Sequence, residues 1–252
     1  MNLCPIIEQE LKVLALQEYP QEACALIFAS GKVEKIKNIS ENSKTSFSLC
    51  PEEFLKAVLK HSGESFSLWH SHTRKEVSWM DIRTPSEKDI LLAYEKEVKL
   101  YISGFDGQTY SRSVCFPKAL EPEYNYLNRP YIPGIYDCGT LAVDFFYLNF
   151  GIKLKYKFLP EYLNPANWSK AVETFLLENK FYRIERSLLK KYDIICINYF
   201  HQKEAHGVLV ISDELELLDQ REISSSPAFE DIIHEAASFW RWDKEVFLGE
   251  KR

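Results

Sequence analysis

Between Pro117 and Gly134 the chain carries four prolines (Pro117, Pro122, Pro130 and Pro133) and no hydrophobic period of helix or strand type. Proline fixes φ, donates no backbone hydrogen bond and restricts the residue before it, so this stretch cannot run through the interior of a sheet or helix. It reads as a connector that few contacts cross. Cutting a chain of 252 residues there leaves two modest domains, placed at 1–118 and 119–252. With 46% apolar and 27% charged residues, the composition is that of a folded chain with core-forming residues available to both halves.

The pattern on either side is α+β. Before the connector, helices are expected over 5–18, 51–60 and from Pro85 or Ser86 to about Tyr94. Pro5 and Pro51 suit first turns, and Ile7, Leu11 and Leu14 recur at helical spacing. Strands are expected over 23–29, 33–39, 66–69, 98–103 and 109–116, with Gly104-Phe105-Asp106-Gly107 as the turn between the last two. After the connector, the pattern predicts helices over 138–150 (Gly151 closing it), 169–179 and 229–240. Strands are expected over 193–199, 205–212, 215–219 and near Val246.

A formal net charge of -6 argues against a nucleic-acid binder, which normally presents a basic face. No run of about 18 apolar residues exists, so no membrane span is expected. The opening Met1-Asn2-Leu3-Cys4-Pro5 has neither the basic nor the apolar region of a signal peptide. The six cysteines contain no C-x-x-C pair and are expected as reduced thiols in a cytoplasmic protein.

Two groups of residues carry chemistry. In the first half, His70-Ser71-His72 follows a strand; side chains two apart on an extended chain share a face, so both imidazoles can reach one metal ion. An H-x-H pair alone also occurs as an ordinary satisfied pair. Downstream, Ser86-x-x-Asp89 has the form of a capping box, which would hold Asp89 rigidly. A rival Ser78-Trp79-Met80-Asp81 lies nearer, and upstream Glu22 borders the apolar run Ala23–Ile27.

An early Glu beside a buried strand, His-Ser-His ending another, then Pro-Ser-x-x-Asp opening a helix resembles the JAMM (JAB/MPN) metallopeptidase family. The resemblance covers about residues 5–116. It implies a mixed sheet with flanking helices and a Zn2+ ion held by His70, His72 and Asp89. Glu22 would be the general base and Ser86 the donor to the oxyanion, with Asp81 the fallback ligand. Thr73 stands where the family usually has Pro, and the stretch from Thr73 to Pro85 is longer than usual.

In the second half, Asp137-Cys138-Gly139-Thr140 places a cysteine at the mouth of a helix, where the helix dipole and free N–H groups favour a thiolate. His206, opening an apolar strand, can serve as its base. Asp219, ending the next strand, can orient the imidazole; His201 and Gln220 are the weaker choices for these two roles. The order helix-opening Asp-Cys, strand His, strand polar residue resembles the NlpC-type cysteine peptidases over about 124–248. This implies a papain-like domain of helices on an antiparallel sheet, with Cys138 the nucleophile. Family members often read Asp-Cys-Ser-Gly, and many have Gly-Asp where this chain has Tyr192-Asp193.

The two domains in this order resemble tail-tip assembly proteins of lambda-type long-tailed phages. That resemblance implies a hydrolase in the host cytoplasm or at the tail tip, with tail-tip proteins as partners and the peptide stems of peptidoglycan as substrate. An assembly scaffold with one or both sites inactive is the alternative.

Overall fold

Proline at a first turn costs no hydrogen bond, because the N–H it lacks would have no partner there. Helices α1 (Pro5–Glu18) and α2 (Pro51–Lys60) both start this way. The helices α3 (Glu87–Glu95) and α4 (Cys138–Phe150) instead open on reciprocal capping boxes, at Ser86 and Asp137. α4 closes on Gly151 at φ 69°, a left-handed position that suits glycine. α5 spans Trp168–Glu178. The computed structural model describes residues 3–75, 80–117, 129–199, 202–220, 224–225, 227–228 and 232–242. It is an α+β chain with two sheets and two compact units, Met1–Ala119 and Leu120–Arg252.

The first unit holds β1 (Cys24–Phe28), β2 (Val33–Ile36), β3 (Phe66–His72), β4 (Leu100–Phe105) and β5 (Tyr110–Phe116), in the order β2-β1-β3-β4-β5. All neighbours are antiparallel except β3 and β4. A parallel pair needs a crossover, and α3 supplies it. The carboxyl end of β3 and the N-terminus of α3 therefore share one end of the sheet. Leu11 and Ala15 of α1 pack on one face with Ala25, Ile27, Trp69 and Tyr101. The side-chain alternation of β3 sends His70 and His72 to the other face, where His70 stands opposite Cys24 of β1 and Ile102 of β4.

Several expected boundaries shift here. β3 runs on through His72, so both histidines are strand residues. Gly104 and Phe105 belong to β4, and the turn is closed by Asp106, whose Oδ1 accepts from the Gln108 and Thr109 amides at 2.9 and 2.8 Å. β2 stops at Ile36, short of the expected Ile39. Asn38 takes over beyond it: its amide donates to the carbonyls of Glu22, Ser43 and Ser46, and its Oδ1 accepts from the Ser40 and Ser48 amides.

The second unit holds β6 (Phe181–Ile184), β7 (Ile194–Tyr199), β8 (Gln202–Val210), β9 (Leu217–Gln220), β10 (Ser224–Ser225) and β11 (Ala236–Trp242). Their order is β10-β9-β8-β7-β11-β6, every pair antiparallel. Leu141, Ala142, Phe145 and Phe146 of α4 and Leu176 of α5 pack on Ile194, Cys196, Leu209, Leu218 and Trp240. Each buried side chain of this size contributes about 1.5–3 kcal/mol. Ile195, Ile197, Val208 and Val210 face the other way and bury Leu217 and Ile232.

The expected helix over 229–240 is cut short: Ile232 and Ile233 are helical, 229–231 lie outside the described residues, and Ala236–Trp242 is a strand between β7 and β6. The aromatic run Phe239-Trp240-Arg241-Trp242 suits a pleated surface, and tertiary pairing outweighs the helical spacing of Ile232, Ala236 and Trp240. β6 was not expected at all. The expected strand near Val246, His201, and most of the connector lie outside the described residues.

Candidate functional sites

In the first unit, β3 and the cap of α3 bring His70, His72 and Asp89 together. They are buried, and each offers a ligand atom within 4.8 Å of the others. His70 Nε2 lies 3.0 Å from His72 Nε2, and each lies 3.3 Å from an Asp89 carboxylate oxygen. His72 Nδ1 is 2.8 Å from the Ile82 carbonyl. Nδ1 must donate there, so Nε2 is the nitrogen that faces the cluster. The long stretch after His72 thus supplies an orienting group for this histidine, and Ile82 reaches this position because Gly104 leaves room for its side chain. Asp81 turns away into a bidentate pair with Arg83 at 2.8 Å and takes no part in the cluster.

Ser86 holds Asp89 doubly: its backbone N–H and its hydroxyl each donate to Asp89 Oδ2 at 2.8 Å. Oδ1 is left to face His70. Burial would raise the Asp89 carboxyl, but the two histidines hold it well below the usual carboxylate range. Burial likewise pushes His72 down, and the hydrogen bond and charge of Asp89, with the charge of Glu22, more than offset this and raise it to about 9. Glu22 is buried and lines the same cleft as both histidines, Ser86 and Asp89. Ser71, the middle residue of the motif, fixes it in place. Ser71 N donates to the Ala23 carbonyl and Ser71 Oγ accepts from the Ala23 amide, both at 3.0 Å. Phe47 packs on the His70 ring, 4.4 Å between centroids.

The donor set fits a divalent cation of zinc type: two imidazoles and one carboxylate, with the second nitrogen of His72 already committed. Two Nε2 atoms 3.0 Å apart cannot both carry protons without repulsion, and a cation between them removes that conflict.

In the second unit, Cys138 is the first residue of α4. The Asp137 carboxylate caps the helix through the Thr140 amide at 2.9 Å and also accepts from the Gly134 amide at 2.6 Å and the Tyr156 hydroxyl. Thr140 Oγ1 returns the bond by accepting from the Asp137 amide at 2.9 Å. The departure from Asp-Cys-Ser-Gly thereby has a local cause. Position 139 faces the Tyr156 ring, which a Cβ would overlap, and position 140 needs a hydroxyl.

His206 of β8 lies close enough to Cys138 of α4 to feel its charge, and its Nε2 lies 2.6 Å from Asp219 Oδ1 on β9. Burial alone would lower His206; the charges of Asp219 and Cys138 and their hydrogen bonds raise it to about 10. Imidazole and carboxylate are both buried. Gln220 is engaged elsewhere, donating to the Arg129 carbonyl at 3.0 Å. Sequence reasoning missed three neighbours. Tyr131 and Tyr156 line the cavity that contains Cys138, and burial raises both phenols well above their ordinary range. Arg129, beside the connector, forms a buried ion pair with Asp144 of α4 at 2.6 Å. Arg129 and Tyr131 lie in the short stretch that leads into Asp137-Cys138, whereas Tyr156 had no signal in the sequence. Tyr192 sits at φ 76°, a left-handed position where glycine carries no strain.

The chain is thus an α+β protein with a three-ligand cluster in one unit and a thiol–imidazole–carboxylate line in the other. It is 26% identical over 146 residues to tail tip assembly protein K of Escherichia phage N15, a match covering 56% of this chain and 54% of that protein. The chain therefore spans about half the length of the curated relative it matches. No protein-family profile matches it. Among solved structures, protein DSY2949 of Desulfitobacterium hafniense is 26% identical with a TM-score of 0.33, covering 44% of this chain and 77% of that one. A Salinibacter ruber protein is 16% identical with a TM-score of 0.32, covering 47% and 82%. Superposition at that level carries no argument about either unit.

Proposed function

We propose that the chain is a hydrolase of phage tail assembly with two peptidase-type sites, a JAMM-like zinc site in 1–118 and an NlpC-type cysteine site in 119–252. The observation that carries this reading is the line from Cys138 through His206 to Asp219, a thiol at a helix N-terminus backed by a buried, carboxylate-oriented imidazole. The match to a tail tip assembly protein supports the biological setting, with tail-tip proteins as partners in the host cytoplasm during assembly; the substrate proposed for the cysteine site is the peptide stems of peptidoglycan.

In the cysteine site, His206 holds its proton at neutral pH, which is the charged partner a thiolate needs. The sulfur attacks the amide carbon, a C–S bond forms as the C–N bond breaks, and His206 gives its proton to the departing nitrogen. Water then hydrolyses the thioester with His206 as base. Asp219 keeps the ring aimed throughout.

In the first unit, His70, His72 and Asp89 would hold the zinc ion. Bound there, it would supply Lewis-acid polarisation of a carbonyl and acidify water. Glu22 is the cavity's candidate proton acceptor. Ser86 is the candidate oxyanion donor, a role that requires its hydroxyl to leave Asp89.

The test is cleavage of cell-wall peptides by purified protein, wild type beside Cys138→Ser and His72→Ala, with metal content measured in parallel. No cleavage by wild type and no zinc uptake would sink the proposal. The name of the relative speaks of assembly, and the second reading is an assembly scaffold in which one or both sites are idle. On that reading, Cys138→Ser and His72→Ala would leave particle yield unchanged.

A further inference from the structure

Leu141, Ala142, Phe145 and Phe146 seat α4 on its sheet by apolar contact, which is favourable but has no direction. A nucleophile on the helix and a base on the sheet need a tighter rule, because a misplacement of about 1 Å can cost on the order of a hundredfold in rate. Arg129 supplies one. Its guanidinium donates to Asp144 of α4 at 2.6 Å, about two turns along the helix from Asp137, and both partners are buried. The same guanidinium lies over the Tyr136 ring, 5.0 Å from its centroid. The Arg129 carbonyl accepts from the side-chain amide of Gln220 at 3.0 Å, and Gln220 directly follows Asp219 on β9.

The chain between Arg129 and Cys138 carries this constraint to the thiol with little slack. Ile132 and Tyr136 pair in both directions, at 2.9 and 2.7 Å, and the Gly134 amide donates to Asp137 at 2.6 Å. One residue thus joins the nucleophile's helix, the loop that enters it and the strand that carries the orienting carboxylate. A buried ion pair is weak evidence of added stability, since apolar side chains of similar volume often serve as well. Its distinctive contribution is geometric, a charge-assisted bond of fixed direction.

We infer that Arg129 is a positioning residue, which through Asp144 and Gln220 sets Cys138 in register with His206 and Asp219. The inference rests on the cysteine-peptidase reading and adds to it the group that aligns helix with sheet.

The experiment follows alkylation of Cys138 by iodoacetamide in the full chain across pH, with the label located by peptide mapping and Tm measured beside it. Gln220→Leu cuts the link to β9 and leaves the ion pair in place. Arg129→Met/Asp144→Leu replaces the pair with apolar side chains. Arg241→Gln is the control, since it breaks an ion pair with Asp193, 2.8 Å long, that involves neither α4 nor β9. Wild type should react well below the free-thiol pKa of about 8.5, as an imidazolium-paired thiol does. Gln220→Leu and the double substitution should each react roughly tenfold slower near about pH 6, with the profile moved toward that of a free thiol. The double substitution should do so with Tm close to the wild-type value. Arg241→Gln should lower Tm and leave the profile where it was. A wild-type profile in either Gln220→Leu or the double substitution, or an equal shift in Arg241→Gln, would overturn the inference alone. If the double substitution does not fold, Gln220→Leu decides. A free-thiol profile in wild type would overturn the cysteine-peptidase reading and this inference with it.

Discussion

In the first unit three buried side chains converge on one point, nitrogen facing nitrogen at 3.0 Å. In the second, a carboxylate holds an imidazole at 2.6 Å, and the line continues to a thiol at a helix N-terminus. On the reading proposed above, the convergent cluster works only with a cation from outside. The line is complete in itself. Two buried polar clusters of similar size thus differ in what they require from solution, and this separates their tests. Chelation should silence one and leave the other untouched.

The largest expected effect is on the self-sufficient site. Cys138→Ser should lower cleavage of cell-wall peptides at least about 10³-fold, since the nucleophile and its base act as a unit. EDTA should leave wild-type cleavage unchanged. A chelator-sensitive rate would break the comparison by placing the peptide chemistry in the first unit.

Asp219→Asn removes the orienting charge but keeps a side chain of the same size, and should lower the rate in the same assay by less than Cys138→Ser does. It also carries a pH signature. His206 is raised from 6.5 to about 10, so the stability it contributes is present in full below about pH 6.5 and is lost as pH rises through about 10. Urea midpoints measured from pH 6 to 10.5 should fall for wild type and fall less for Asp219→Asn. Parallel curves would show that Asp219 is not what raises His206.

For the convergent site, zinc at about a hundred times its Kd should stabilise the first unit by about 2.7 kcal/mol, read as a rise in Tm that His72→Ala abolishes. The second unit should show no shift. Smallest is Ser86→Ala, which removes a helix cap and should cost about 1 kcal/mol. Because Ser86 also holds Asp89 Oδ2, zinc affinity should weaken together with stability. Loss of stability with unchanged affinity would reduce Ser86 to a cap alone.

Much of this was legible in the sequence wherever local rules decide the outcome. Pro5, Pro51, Ser86 and Asp137 mark helix starts that the structure places within a residue or two of expectation, and Gly151 closes α4 as expected. Side-chain alternation put His70 and His72 on one face before any fold was known. What stayed hidden depends on distant partners. Ala236–Trp242 has helical spacing locally and becomes a strand because β7 and β6 flank it. The carbonyl of Ile82, the Asn38 brace on Glu22 and the Tyr156 bond to Asp137 all join residues whose proximity no spacing rule announces.

The Ser71–Ala23 clamp spans 48 positions of chain and closes only when β1 has paired with β3. The two imidazoles sit two residues apart and exist as a pair in any extended chain. Glu22 and Asp89 arrive only with the sheet and the crossover helix. Loop closure over such separations is slow relative to local helix formation. On the zinc reading, a nascent chain would therefore hold metal loosely through His70 and His72 well before Asp89 joins them. Tight zinc retention, followed over time after dilution from denaturant, would report when the central strands have zipped, making the ion a clock for this unit's folding.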